Sequence, residues 1–311
     1  MRIDSIGAIA ARETNLLSTA IGSAGCRERD LPAASQDFQA AVQKLLYRLT
    51  RRLVEWRGGY RASNFLIGRF GRSAPLEAEV LGFRMLLDPR DSVCRNLLYY
   101  PQIVDAKERA ALVPQIRPGD AVVDAGAHYG FYSLLAAKRG AKVLCIEADP
   151  MTFARLRHNI ALNRADNISA VNVGISDRRE RLKLFRDTAR GDHSAHSFMP
   201  GGERADSIEI DCAPLAEIME QQGFTRCDVL KVDVEGFEYR ILKPFFESSK
   251  IRPRLILVEY YPHRNTGDVP ALLDNQGYRL DGKFSANYFF SRAAENPPLP
   301  PPATRPDSMH G

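Results

Sequence analysis

The run Val122-Val123-Asp124-Ala125-Gly126-Ala127-His128-Tyr129-Gly130-Phe131-Tyr132-Ser133 constrains the fold of this chain more than any other segment. A short β-branched stretch passes through two glycines and then into an apolar and aromatic run, which predicts a strand turning sharply into a helix. Glycines in such a turn let the backbone approach a ligand closely at the carboxyl edge of a sheet. The spacing is Gly-x-x-x-Gly and not the Gly-x-Gly-x-x-Gly of a dinucleotide pyrophosphate site. Asp124 sharpens the difference, because a carboxylate beside the loop repels a pyrophosphate and suits a cation. S-adenosylmethionine carries an ammonium and a sulfonium, so Asp124, Gly126 and Gly130 are candidates for holding it. Glu147 ends the next apolar run, Leu144-Cys145-Ile146, 23 residues beyond Asp124. A carboxylate there is placed to accept hydrogen bonds from both ribose hydroxyls.

The surrounding pattern is α/β. Strands are expected at 121–124, 142–147, 168–173, 228–233 and 254–260, separated by helices near 131–139, 150–163, 213–222 and 236–248. Their alternation implies a mostly parallel Rossmann-like sheet with helices on both faces. Upstream, residues 79–87 read as a hairpin or pair of short strands, followed by one helix over 103–114. Residues 277–281 and 287–291 read as a closing pair of strands around Asp281-Gly282-Lys283. With 311 residues, the chain has room for this domain at about 80–291, roughly the size of one large α/β domain, and for extensions at both ends.

Two segments resemble one known family. Val123 to Ser133 is similar to the first motif of FkbM-type methyltransferases, and Asp228-Val229-Leu230-Lys231-Val232-Asp233-Val234-Glu235-Gly236 resembles that family's Asp-x-Leu-Lys-x-Asp-x-Glu-Gly signature. Supporting matches are Leu87-Asp88-Pro89-Arg90-Asp91, Gly174-Ile175-Ser176-Asp177 and Leu257-Val258-Glu259, and His128 stands where relatives commonly carry Asn. The resemblance implies a class I methyltransferase domain using S-adenosyl-L-methionine, with Ile175 and Ser176 joining the cofactor residues. It also implies O-methylation of a hydroxyl on a small-molecule or glycan acceptor: a sugar, a glycolipid or a polyketide.

In the fourth strand, alternation places Val229, Lys231 and Asp233 on one face. A Lys and an Asp in a core strand neutralise each other, since an unpaired buried charge is costly. Asp233, Glu235 and Glu238 converge at the carboxyl edge where the methyl donor is expected. Asp233 and Glu235 are therefore candidates for holding the acceptor or a bound cation, Lys231 for setting their charge state, and His128 or a loop histidine, His193 or His196, for taking the proton. An alternative use of Asp233, Glu235 and Glu259, with His263 nearby, is to hold a divalent cation, because hard oxygen ligands suit Mg²⁺ or Ca²⁺.

The ends of the chain are read differently. Residues 1–40 lack periodicity, and the proline-rich stretch 292–311 favours an extended, disordered tail. Between 41 and 79, Val42, Leu45, Leu46, Leu49, Leu53 and Trp56 form the stripe of an amphipathic helix. Within 41–72 eight Lys and Arg residues oppose Glu55 alone, whereas the whole chain carries only +5. Such a helix packs on the main domain or contacts an anionic membrane surface or a partner protein. The modest total charge and the absence of an Asn-Pro-Pro-Tyr run argue against a nucleic-acid acceptor. Five scattered cysteines without a Cys-x-x-Cys pair fit a reducing cytoplasm, and no signal peptide or membrane span is expected. Two other function classes share the fold: an NAD(P)-dependent oxidoreductase, which the glycine spacing opposes, and a non-catalytic glycan-binding protein.

Overall fold

The computed structural model describes residues 45–50, 66–67, 75–186 and 206–292. It opens with a hairpin of β1 (Leu76–Val80) and β2 (Phe83–Leu87). Their two-residue turn, Leu81-Gly82, has φ of +51° and +84°, the twist that joins right-handed strands tightly. A helix not anticipated from the sequence follows, α1 (Ser92–Tyr99), whose first turn is capped by the Asp91 carboxylate accepting from the Cys94 N–H at 2.8 Å. The single helix expected over 103–114 is shorter, α2 (Ala106–Leu112), and passes into a 3-10 turn at Val113–Gln115 that contains Pro114.

The domain is then built from β3 (Ala121–Ala125), α3 (Phe131–Lys138), β4 (Lys142–Glu147), α4 (Pro150–Leu162) and β5 (Ile168–Asn172). After an excursion through β6 (Gly174–Ile175), β7 (Glu180–Arg186), β8 (Asp206–Ala213) and α5 (Leu215–Gln221), it resumes with β9 (Val229–Val232), α6 (Glu238–Ser248), β10 (Leu255–Glu259), α7 (Val269–Asn275), β11 (Tyr278–Phe284) and β12 (Asn287–Arg292). The main sheet has the order β11-β12-β10-β9-β3-β4-β5. Its five strands from β10 to β5 run parallel, and β12 runs antiparallel to both β10 and β11. The expected strands and helices of this sheet lie within two residues of their predicted ends, with one exception. Asp281-Gly282-Lys283, expected as a turn, lies inside β11, where the register shifts between Leu280 and Gly282. Asp281 is the extra residue of a bulge there, and the chain reverses later, at Ser285 and Ala286. The small sheet β6-β8-β7 was not foreseen either.

The central strands are apolar on both faces because both faces are covered. Val123, Ala125, Leu144, Ile146, Leu230, Val232, Ile256 and Val258 pack with α5, α6 and α7 on one side. Their neighbours Val122, Val143, Cys145, Val229, Leu255 and Leu257 pack with α2, α3 and α4 on the other. The hairpin and α1 form a further cluster over Tyr129, Phe131 and Leu134. Asn159 fastens this layer to the sheet: buried on α4, it accepts the Leu86 N–H at 2.7 Å and donates to the Tyr129 carbonyl at 3.0 Å.

Of the expected basic helix, residues 45–50 are helical; Leu46 and Thr50 are buried, while Leu45 and Leu49 are exposed, so the predicted apolar stripe is split. The remainder of that helix, residues 1–40, the loop histidines His193 and His196, and the proline-rich tail lie outside the described residues. No helix among the described residues is long and apolar enough to cross a membrane.

Asn159→Ala should destabilise the fold by about 2–3 kcal/mol, since it strands a buried carbonyl and a half-buried N–H at once; urea denaturation followed by circular dichroism measures it, and a loss below about 0.5 kcal/mol, within ordinary surface scatter, refutes the fastening role.

Candidate active site

Parallel pairing aligns the strand ends. Ala125 is opposite both Ile146 and Val232, and Val232 is opposite Val258. The next residues, Gly126, Glu147, Asp233 and Glu259, therefore leave the sheet in one row at its carboxyl edge. Here lies a cavity of about 320 Å³, lined by that row together with His128, Tyr132, Ile175, Lys231 and Glu235. Asp105 and Asn96 face it from the segment before the sheet, and Asn287 from β12.

The loop after β3 is held closely against β9. Gly126 has φ +81°, and a Cβ placed on it would stand 1.8 Å from the Asp233 carbonyl oxygen, so no other residue fits. The Gly126 and Ala127 N–H groups both donate to the Ile146 carbonyl at 3.0 Å. Gly130 serves packing: it precedes α3 with φ +84°, and a Cβ there would meet Leu156 at 2.5 Å. It is not on the cavity wall.

Glu147 is clamped at the end of β4. Its two oxygens accept the His128 and Asp149 N–H groups, each at 2.9 Å. Burial, only partly offset by those bonds, pushes its carboxyl up to about 7. Beside it Ile146, Ala148, Val173, Ile175 and Leu184 form an apolar wall, suited to a flat heterocycle. Ser176, predicted with Ile175, is buried away from the cavity, where its hydroxyl donates to Glu180 at 2.5 Å.

Asp124 lies in the core beneath the loop, not on the cavity wall. It accepts the Ser133 hydroxyl at 2.6 Å, and its other oxygen is 3.7 Å from the Lys231 ammonium. Burial raises its carboxyl, with Lys231 opposing. Lys231 donates to Asp233 at 2.9 Å and stands over the Tyr132 ring, 5.3 Å from its centre. Its own burial disfavours the charge, but Asp233 and Asp124 outweigh it and hold the ammonium protonated. The mutual neutralisation expected for Lys231 and Asp233 is thus present, with Asp124 as a third member.

Three carboxylates crowd the edge beyond Lys231. Oxygens of Asp233, Glu235 and Glu259 all lie within 4.8 Å of one another. Burial works against the Asp233 carboxylate, but Lys231 prevails and keeps it ionised below its usual range. Glu259 pays the balance: burial and then the Asp233 charge push it up to about 9, so it carries a proton at neutral pH. Glu235, raised to about 7 by burial and then by Asp233, pairs with Arg264 at 2.6 Å. This spacing also suits a divalent cation's oxygen shell; His263 is exposed and is not part of the group. Glu238 is withdrawn from the edge: buried at the start of α6, it accepts the Gly236 N–H at 3.0 Å and the Asn265 amide at 2.6 Å, shaping the turn that presents Asp233 and Glu235.

His128 lines the cavity with φ +52°. Its Nε2 is 3.9 Å from the buried Asp91 carboxylate, and its ring lies edge-on to Tyr129. Asp88, from the same upstream motif as Asp91, is paired by Arg90 at 2.8 Å and Arg155 at 3.0 Å, and Arg155 also donates to the Tyr129 hydroxyl. The Leu87-to-Asp91 motif therefore braces the glycine loop from behind. Asp105, Asn96 and Asn287 are cavity residues that sequence reasoning missed, since no motif singles them out; Tyr132 stands within the glycine-loop motif but was given no role there.

The strand order, with one antiparallel strand next to the edge, and the glycine loop facing a strand-end glutamate define a class I S-adenosylmethionine-dependent methyltransferase. The family model described as the methyltransferase FkbM domain matches residues 124–280, half of the chain, and the chain belongs to that family. It is similar to methyltransferase sdnD of Sordaria araneosa, 28% identical over 51% of this chain and 73% of that one. It is also similar to 31-O-demethyl-FK506 methyltransferase FkbM of Streptomyces tacrolimicus, 26% identical over 53% of this chain and 75% of that one. Among solved structures, M. jannaschii TYW2 in complex with AdoMet aligns with a TM-score of 0.40 at 16% identity, over 72% of this chain and 89% of its own.

Because the Glu147 carboxyl titrates near 7 and its ionised form is the better acceptor for two hydroxyls, S-adenosylmethionine should bind about tenfold more tightly at pH 8 than at pH 6. Glu147→Gln should remove that difference and weaken binding at pH 8 by about 1.5–3 kcal/mol. Calorimetry at both pH values decides it: the same pH dependence in wild type and variant sinks the assignment.

Proposed function

We propose that this methyltransferase transfers a methyl group to a hydroxyl oxygen of a sugar, glycan, glycolipid or polyketide-type acceptor. The observation carrying this reading is the ionised Asp233 at the cavity edge, backed by Lys231 and flanked by Glu235 and Glu259. S-adenosylmethionine, when bound, supplies the methyl group on a sulfonium. Gly126, Glu147 and the apolar wall through Ile175 hold the donor, and the acidic edge favours its positive charge. The remaining task is to align a weak nucleophile and relieve it of a proton during a single in-line displacement. Asp233 is placed to orient the hydroxyl, and Glu235, titrating near 7, is the carboxylate best matched to accept its proton at neutral pH. His128 is a weaker candidate than the sequence suggests, because its Nε2 faces Asp91. The name of the FkbM relative contains a demethylated oxygen position, which is consistent with an oxygen acceptor.

Methyl-labelled S-adenosylmethionine, incubated with the full chain and fractionated polar and lipid extracts, tests the proposal by mass spectrometry. A labelled ether is expected; labelled amine or carbon products refute the hydroxyl assignment. With that acceptor, Asp233→Asn should lower turnover by at least about tenfold, or 1.4 kcal/mol of barrier, while donor affinity changes far less. A chelator arm separates the two uses of the trio. Activity lost to chelator and restored by Mg²⁺ assigns Asp233, Glu235 and Glu259 to a cation, whereas unchanged activity leaves them handling the proton.

A further inference from the structure

Four described helices begin directly after an aspartate: Asp91, Asp105, Asp149 and Asp268. Three of these accept N–H groups of their own helix, the ordinary use of an aspartate at that position. Asp105 does not. Its backbone is left-handed, φ +45°, and its side chain makes no cap bond to α2. The carboxylate instead lines the cavity and accepts the Tyr132 hydroxyl at 3.2 Å. Both the backbone conformation and the forgone cap cost stability, and costs of this kind gather where a side chain is needed elsewhere. Among the described residues six non-glycine positions have positive φ, and three of them, Asp105, His128 and Glu235, line this cavity.

The placement of Asp105 is informative. Glu147 marks the donor end of the cavity, and the row at the sheet edge leads from there across Gly126 to Asp233 and Glu259. Asp105 approaches from the segment between α1 and α2, and Tyr132 bridges the two walls: its hydroxyl meets Asp105 and its ring lies beneath the Lys231 ammonium. Charge couples Asp105 to both Lys231 and Asp233. It therefore faces the place where a reacting hydroxyl must sit, from the side that the strand-end carboxylates leave open. Asp105 also lies outside residues 124–280, the part shared with the family.

We propose that Asp105 orients the acceptor, accepting a hydrogen bond from a second hydroxyl of a polyhydroxylated, non-anionic molecule while the first is methylated beside Asp233. This rests on the hydroxyl-acceptor reading above. An anionic acceptor is disfavoured because the ionised Asp233, with Asp105 and Glu235 beside it, faces the cavity against Lys231 alone among its lining Lys and Arg residues.

The test uses the full chain, methyl-labelled donor and a panel of neutral methyl glycosides (glucoside, mannoside, rhamnoside) beside the methyl glucuronoside. Wild type should label a neutral glycoside and label the uronate at least about tenfold less. Asp105→Asn keeps the left-handed backbone, which Asn also tolerates; it should raise KM for the glycoside by about tenfold or more while the donor Kd stays within about twofold. Asp105→Gly, which relieves the positive φ, should raise KM to the same extent with an unchanged or higher Tm. Tyr132→Phe should give a smaller KM rise. A KM within twofold of wild type in both Asp105 variants overturns the proposal. So does a tenfold loss of donor affinity, which would mean that the carboxylate holds the donor's ammonium. If wild type labels no glycoside, the sugar-hydroxyl reading itself is withdrawn and this assignment with it; labelling by wild type with unaltered variants removes Asp105 alone.

Discussion

The candidate active site depends on strand register. Five parallel strands with apolar side chains on both faces cannot slip by one residue without exchanging the contents of two packed layers. That lock places the residues after Ala125, Ile146, Val232 and Val258 side by side at one edge. A glycine, a glutamate, an aspartate and another glutamate thus meet there although they are far apart in sequence. The close approach of the loop to β9 follows from the same lock, since the Asp233 carbonyl occupies the space where a side chain on residue 126 would stand. Loop, strand-end glutamate and acidic edge are consequences of one alignment.

Lys231 sets the chemical character of that edge. A buried ammonium is tolerated only when paired, and Lys231 is paired twice, with Asp233 above and Asp124 below. Asp124 and the Ser133 hydroxyl behind it form the foundation of this arrangement. With one cation committed to two carboxylates, the remaining acids cannot all be ionised together. Asp233 keeps its charge, Glu259 holds a proton, and Glu235 is left close to half-ionised at neutral pH. A carboxylate that titrates near neutrality therefore arises from shared electrostatics and not from any one side chain.

The sheet was legible because its signals are local and periodic. Short apolar runs ending in Asp124, Glu147, Asp233 and Glu259 alternate with helical stretches, and nearly all boundaries came out close. The glycine loop and the strand-end carboxylates were legible for the same reason. What escaped depends on tertiary contacts. Helix α1 is an eight-residue element stabilised by the Asp91 cap and by burial against the hairpin, neither of which shows in a hydrophobic period. Gly282 looks like a turn residue but pairs with Phe289, because β12 supplies partners on both sides of the bulge at Asp281. Asp124 reads as a ligand-facing carboxylate, yet its side chain turns inward to a lysine more than a hundred residues away. Asp105 and Asn287 have no sequence signature at all; the fold alone brings them to the cavity.

This difference in legibility follows a division within the cavity. The residues that motifs reveal, Gly126, Glu147, Lys231, Asp233 and Glu235, all lie in the stretch matched by the family model. Their geometry is dictated by the sheet, so a change at any of them disturbs the alignment on which the others depend. Asp105 and Asn96 come from the segment before that stretch and are attached to the sheet by packing, and Asn287 comes from β12 beyond it, at the antiparallel side of the sheet. They can be exchanged without moving the row at the strand ends. A fold that must keep its donor site constant while accepting different molecules is best varied at such positions, where the wall changes and the register does not. On the assignment of Asp105 to the acceptor, the strained backbone before α2 is the cost of adapting that wall, carried by a segment whose distortion leaves the sheet undisturbed.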